Sequence, residues 1–259
     1  MWKSSLAHLY PAAPLIFAHR GASAHAPENT LPAFALALEQ GADGLELDVT
    51  LSADGVPVVI HDDTLDRTTT GRGPVSAHTL AQLRAVDAGF PATFGDRFAG
   101  TRLPTLDEVL AAFGRQAIIN VELKPDRSPG RGLAAAAVAV IHAHDLSARV
   151  ILSSFQFGNL RRVRALDPAL PIGLLYVSAL FSQRLVRWLT TDLHPEAHHP
   201  GVYHLSPARL AWYHQHGLRV NAWTVNAPDQ MRSLAAAGLD GLITDDPALA
   251  VRTLRPAPA

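Results

Sequence analysis

Short apolar runs alternate with segments of helical period along almost the whole chain. The runs fall at residues 15–18, 44–51, 56–60, 117–123, 150–154, 171–176, 202–205, 219–225 and 241–244. Strand-length runs separated by helices describe repeated βα units on a parallel sheet. The first helix is expected over residues 31–39, with Asn29 or Thr30 as its cap, Pro32 in its first turn and Gly41 as its stop. The stretch 133–140, with Ala and Val at helical spacing, reads as a further packing helix.

Nine runs are one more than a closed eight-stranded barrel holds, and the spacing identifies the odd one. Only residues 52–55 separate the second run from the third. That length suits a tight Asp-Gly turn and cannot hold a crossover helix of about a dozen residues. Residues 50–61 are therefore expected to form a hairpin that rises from the rim of the second barrel strand and folds back on it. Its turn would be centred on Ala53 and Asp54, bringing His61 across from Glu46. The other eight runs make an α/β fold, a single (β/α)8 barrel, for which 259 residues is a fitting length against about 250 typically. Residues 62–104 are rich in Thr, Gly, Asp and Arg, with one helical pattern at 77–86. They are expected to form a small inserted subdomain or lid after the second barrel strand, within one domain spanning 1–259.

Hydrophobic residues make up 48% and charged residues 17%, enough apolar surface for a core and too little charge for a disordered chain. Lys and Arg total 22 against 23 Asp and Glu. A balance of -1 gives no general attraction for nucleic acid or an anionic membrane, so a small-molecule partner is favoured. No window approaches the roughly 20 apolar residues of a membrane span. His8, Pro11 and Pro14 interrupt the first residues before a signal-peptide core could form, so a cytoplasmic location is expected, with a periplasmic one as the alternative that a cysteine-free chain also allows. Cysteine is absent, which excludes thiolate nucleophiles and Cys-ligated metals. No pattern in the chain sets an oligomeric state.

In a parallel barrel the reactive groups gather at the C-terminal ends of the strands. His19 and Arg20 end the first run, Glu46 and Asp48 the second, His61 the returning hairpin arm, and Glu122 with Lys124 the third barrel strand. Each i, i+2 pair shares a strand face. Three carboxylates brought together in a barrel mouth require compensating positive charge. A salt-bridge network with Arg20 and Lys124 would supply some of it. Three strand-end acids arranged around two histidines point instead to a divalent cation, and an all-oxygen donor set selects a hard one, Mg²⁺ or Ca²⁺. His19 and His61 have the chemistry of a general acid and base, and Arg20 offers a planar fork suited to phosphate oxygens. Together with Lys124 these groups are equipped to attack a phosphodiester.

At these residues the chain resembles a known family. His19-Arg20-Gly21, Pro27-Glu28-Asn29-Thr30, Glu46-Leu47-Asp48-Val49 and Pro57-Val58-Val59-Ile60-His61-Asp62 are similar to the N-terminal signature of the glycerophosphodiester phosphodiesterases. The similarity continues through Leu65, Arg67, Thr68, Leu103-Pro104-Thr105-Leu106, Val121-Glu122-Leu123-Lys124, Ser153-Ser154-Phe155, Ala222-Trp223-Thr224-Val225-Asn226 and Ile243-Thr244-Asp245-Asp246-Pro247. It runs from about residue 15 to 250. The resemblance implies a TIM barrel that hydrolyses glycerophosphodiesters to sn-glycerol 3-phosphate and an alcohol with one divalent cation. It further implies His19 and His61 as the acid/base pair, and Glu46, Asp48 and Glu122 as metal ligands. Arg20 and Lys124 become phosphate contacts, and Phe155 and Trp223 apolar walls for the glycerol moiety.

The histidines at 194, 198, 199, 204, 214 and 216 lie outside that signature. His194 and His198 have the i, i+4 spacing of a helical zinc pair, but Pro195 and Pro200 crowd them and a solvated loop is the expected state. Two other functions use the same residues. A lysophospholipase D-type or cyclising enzyme would need an apolar groove, for which Phe90, Phe94, Phe98, Leu180, Phe181 and Trp188 are the candidates. A catalytically dead barrel that only binds a phosphorylated ligand would have lost a histidine or an acid, and none is lost.

Overall fold

The computed structural model describes residues 9–10, 14–126, 132–177 and 193–255. Nine strands are present among them: β1 (Leu15–His19), β2 (Gly44–Leu51), β3 (Pro57–Val59), β4 (Ile118–Leu123), β5 (Val150–Ser154), β6 (Ile172–Tyr176), β7 (Ala197–Pro200), β8 (Arg219–Ala222) and β9 (Gly241–Thr244). Parallel pairing runs β1-β2-β4-β5-β6-β7-β8-β9 and returns to β1, which closes an eight-stranded barrel. Strand β3 pairs antiparallel with β2 outside the ring. The hairpin turn is the expected one: Gly55 N–H donates to the Ser52 carbonyl at 3.1 Å, with Ala53 and Asp54 between them.

Alternation along the strands divides the core in two. Leu45, Leu47, Val49, Ile119, Val121 and Leu123 face outward into one continuous apolar layer shared with the helices. Phe17, Ile118, Ile151, Ala197 and Ile243 fill the barrel interior, with Leu9 and Tyr10. A closed barrel of this size is just wide enough for its own side chains, so a large residue on one strand requires a small one on the next. A Cβ on Gly44 would lie 2.6 Å from the Phe17 ring, and one on Gly173 would lie 2.8 Å from the His199 ring.

The helices begin and end on local signals. Thr30 caps the helix Leu31–Glu39 by accepting from Ala33 N–H, Pro32 occupies the first turn, and Gly41 leaves it at φ +87°. Helix Leu106–Phe113 opens with a reciprocal capping box between Thr105 and Glu108. Residues 62–104 contain the short helices Leu80–Leu83 and Pro91–Phe94 and two 3-10 turns. Leu65, Val75, Leu83, Ala88 and Leu103 form an apolar cluster there with Val58 and Ile60 of the hairpin arm.

Three expectations are corrected. The seventh barrel strand is Ala197–Pro200, and Val202–His204 of the expected run is a 3-10 turn just beyond it. Its core-facing residues are histidines, which counted as polar, while the apolar Val202 and Leu205 belong to the exit from the strand. The 77–86 pattern resolves into Val75–Ala77 as 3-10 and Leu80–Leu83 as α-helix, because Thr79 breaks in as a cap. The run 219–225 ends as a strand at Ala222.

Candidate active site

Strand β1 stops at His19, and Arg20 and Gly21 follow with φ of +59° and +84°. For a non-glycine residue the left-handed region costs about 1–2 kcal/mol, so Arg20 must be held there. Its N–H donates both to the Glu46 carbonyl, at 2.9 Å, and to Glu46 Oε2, at 3.1 Å. Gly21 is required for closeness as well as conformation, since a Cβ would meet Ala33 of the first helix at 2.7 Å.

Glu46 and Asp48 project from β2 and Glu122 from β4, where Asp48 and Glu122 are register partners. All three are buried, and one ligand atom from each lies within 4.8 Å of the other two. Lys124 Nζ sits 2.8 Å from both Asp48 Oδ1 and Glu122 Oε1. Arg20 Nε is 3.4 Å from Asp48 Oδ2, to which the Asn29 amide donates at 2.8 Å. Burial works to raise the Asp48 carboxyl, yet Lys124, Arg20 and His61 hold it well below the usual carboxylate range. Burial and the neighbouring Asp48 push Glu122 up to about 7. Burial, Asp48 and Glu122 likewise raise Glu46 well above its ordinary value. Ionising all three acids together therefore takes more positive charge than Arg20 and Lys124 supply, and the donors are all oxygen. Those two properties fit a hard divalent cation.

Both histidines are oriented from behind. His19 Nδ1 donates to Asp245 Oδ1 at 2.6 Å, and Asp245 is itself fixed by Ser23 Oγ at 3.1 Å and Asn226 Nδ2 at 2.6 Å. His61 Nδ1 donates to Asp62 Oδ1 at 2.7 Å. An ionised carboxylate only accepts, so each pairing puts the hydrogen on Nδ1 and leaves Nε2 for chemistry. Arg67 holds Asp62 through Nε at 2.7 Å and clamps Glu28 with its two terminal nitrogens, Nη1 at 2.7 Å and Nη2 at 2.8 Å. Glu28 also accepts from Arg20 Nη1 at 2.9 Å. A continuous charged chain thus joins His61 to Arg20. Burial lowers the His61 pKa, with Lys124 and Arg20 adding to the effect.

A cavity of about 220 Å³ is lined by His19, Arg20, Glu46, His61, Asn120, Glu122, Lys124, Phe155, Leu175, Trp223 and Ile243. Charged groups occupy one side and apolar ones the other. Phe155 and Trp223 meet edge to face at 5.6 Å, and Trp223 Nε1 donates to the His199 carbonyl at 2.8 Å. The residues singled out in the sequence converge here; Asp48 lies directly behind, bonded to Lys124. The register corrects one detail. Val49 pairs with Val59 and Ile60 N–H donates to the Asp48 carbonyl, so His61 follows the position opposite Asp48 and faces Glu46 only across the cavity.

The histidine-rich stretch is not a solvated loop. His198 and His199 are fully buried in β7. His214 donates to Asp240 at 2.9 Å and His216 to the Trp212 carbonyl at 2.8 Å, and His194 and His198 share no helix. Phe90, Phe94 and Phe98 pack edge to face in the insertion, at 6.2 and 5.4 Å, away from the cavity lining. Leu180, Phe181 and Trp188 lie outside the described residues. The sequence pattern assigns no part in the site to Asp62, Asp245, Asn29, Glu28, Arg67 or Asn120, and Asn29, a candidate helix cap, instead bonds Asp48 while Thr30 caps the helix. Asn120 had a usable signal, being two residues before Glu122 on the same strand face.

Residues 19–249 match the model of the glycerophosphoryl diester phosphodiesterase family. A glycerophosphodiester phosphodiesterase of Caldanaerobacter subterraneus subsp. tengcongensis is 41% identical over 243 residues, covering 93% of this chain and 98% of its own. One from Bacillus subtilis is 34% identical over 255 residues, covering 93% and 86%. Among solved structures, an Oleispira antarctica phosphodiesterase in complex with the product sn-glycerol-3-phosphate superposes with a TM-score of 0.84 at 32% identity, covering 93% of this chain and 96% of that one. A glycerophosphodiester phosphodiesterase from Agrobacterium tumefaciens gives 0.78 at 30% identity, covering 91% and 98%. No helix among the described residues is long and apolar enough to cross a membrane.

Proposed function

The chain belongs to the glycerophosphoryl diester phosphodiesterase family, and we propose that it hydrolyses glycerophosphodiesters to sn-glycerol 3-phosphate and an alcohol at the mouth of this barrel. The observation that carries this reading is the cavity itself. It joins a buried acid triad, two cationic side chains and two carboxylate-tethered histidines to an apolar wall. The product named in the Oleispira structure is the one this chemistry would leave behind.

In this reading Glu46, Asp48 and Glu122 hold one divalent cation, Mg²⁺ or Ca²⁺, which when bound supplies charge neutralisation for the phosphoryl oxygens. Arg20 and Lys124 grip the phosphate, and Phe155 and Trp223 cover the glycerol carbons. His61, whose lowered pKa favours a neutral start, takes the proton of the glycerol hydroxyl next to the phosphoester. That oxygen attacks phosphorus. The departing alkoxide receives a proton from His19, whose orientation Asp245 fixes. Water then opens the cyclic phosphate with the two histidines in exchanged roles. Asp62 and Asp245 act as positioning residues. The chain functions as one barrel domain, with residues 62–104 as an inserted unit whose Arg67 braces the site from outside.

A panel of glycerophosphodiesters and lysophospholipids, assayed for the released alcohol with every substrate and for sn-glycerol 3-phosphate with the glycerophosphodiesters, under Mg²⁺ and under Ca²⁺, tests the proposal. Release from the glycerophosphodiesters is expected. Turnover confined to lysophospholipids, or none of either class, contradicts it.

A further inference from the structure

Asn120 projects from β4 on the same inward face as Glu122, one pleat nearer the barrel floor, with Glu46 and Ile151 as its register partners. Only 1% of the residue is exposed, and its Oδ1 has no hydrogen-bond partner. Leaving a buried polar atom without a partner is costly, so an orphan that borders a cavity is a candidate for pairing with whatever fills that cavity. What lies beside Asn120 is the substrate cavity, whose lining it shares with Phe155, Leu175, Trp223 and Ile243.

We propose that the Asn120 amide binds the hydroxyl of the glycerol moiety farthest from phosphorus and is a specificity-determining residue; the inference rests on the hydrolase reading above. Three physical points support it. A side-chain amide is uncharged and offers both a donor and an acceptor, which complements a hydroxyl. The phosphate is served elsewhere, because Arg20 and Lys124 sit at the rim while Asn120 sits about 13 Å below Lys124 along the strand. The leaving alcohol must depart towards solvent, so the end of the substrate that reaches the floor is the retained glycerol. Apart from Glu46 on the neighbouring strand, the lining that Asn120 shares on the floor side is apolar, so a substrate lacking that hydroxyl would leave the amide oxygen desolvated and unpaired. This asymmetry gives hydrogen-bonding sites their selectivity.

The test compares sn-glycero-3-phosphocholine with its analogue built on propane-1,2-diol, which keeps the hydroxyl beside the phosphoester and lacks the far one. Wild-type protein should favour the glycerol ester at least tenfold in kcat/KM, and Asn120→Leu should bring that ratio to within about threefold of one. Asn120→Ala carries the same expectation should the leucine variant fail to fold. Equal handling of the two esters by wild-type protein overturns the role of Asn120 and leaves the hydrolase reading standing. So does a wild-type ratio retained in a folded variant. No release of sn-glycerol 3-phosphate from the glycerol ester overturns the hydrolase reading and this inference with it.

Discussion

Asp62 and Asp245 illustrate how much of the site's behaviour is set by groups that stand behind its two histidines. Asp62 is held below its usual range, at about 2, first by its hydrogen bonds from Arg67, and as a carboxylate it favours the charged form of His61. Removing that charge should lower the His61 pKa further, so the basic form of His61 persists to lower pH. We expect Asp62→Asn to move the acid limb of the kcat/KM profile to lower pH and to reduce kcat by about 10–100-fold, the usual cost of a lost orienting partner. A pH–rate profile checks both; a uniform loss with no shift of the acid limb would make Asp62 merely structural. At this scale the sequence was informative about the residues that gather at the candidate site. His19, Glu46, Asp48, His61, Glu122 and Lys124 end strands, and strand period and barrel polarity suffice to gather them. Their partners were hidden because spacing along the chain carries no information about a contact such as His19 to Asp245, which spans 226 residues.

At the scale of elements, β7 is the instructive case. His199 faces the barrel, where Nε2 accepts from Asn221 at 3.1 Å, while Tyr10 is tied to the same Asn221 amide at 2.7 Å. His198 faces the helix Pro207–Gln215 between Tyr176 and Tyr213, and neither of its ring nitrogens has a hydrogen-bond partner. Burial drives both imidazole pKa values down to about 3. They are therefore neutral and pack as aromatic residues, which is why a hydropathy pattern does not register this strand. The folded state binds these protons only near pH 3, whereas the unfolded chain takes them up below about pH 6.5. Stability is thus complete above pH 6.5 and falls as the pH drops towards 3, by about 1.4 kcal/mol per pH unit for each histidine. Replacing His198 by Leu, which keeps an apolar body of similar size and removes the proton site, should halve the histidine contribution to this loss. Thermal melts at pH 5 and pH 8 measure it: the variant should gain more at pH 5, and an equal change at both would refute the linkage. The β2–β3 hairpin was legible for the opposite reason, since four turn residues exclude a crossover and leave one topology.

For the molecule as a whole, the fold follows from alternation and length, with the ring closed by β1 pairing to both β2 and β9. How the insertion meets the barrel did not follow. Arg67, at 41% side-chain exposure, ties residues 62–104 to Glu28 on the barrel rim and holds Asp62 behind His61. Loss of this brace should loosen Arg20 and His61 together. We expect Arg67→Ala to lower kcat/KM by about tenfold while the protein still melts cooperatively, since one partly exposed charge network adds little to global stability. Steady-state kinetics with a melt decides; undiminished kcat/KM would show the insertion to be energetically separate from the site.

The central claim is that the buried acids of the barrel mouth serve cation-dependent glycerophosphodiester hydrolysis, and Asp48 joins every part of that arrangement. The most direct measurement is release of sn-glycerol 3-phosphate from sn-glycero-3-phosphocholine by wild-type and Asp48→Asn protein, each after EDTA and again after added Mg²⁺ or Ca²⁺. The account predicts that EDTA abolishes wild-type release, that one of the ions restores it, and that Asp48→Asn stays at least about 100-fold slower with either ion, in line with the loss of charge-stabilising groups elsewhere. Full release by EDTA-treated wild-type protein, or wild-type rates in Asp48→Asn, would contradict it.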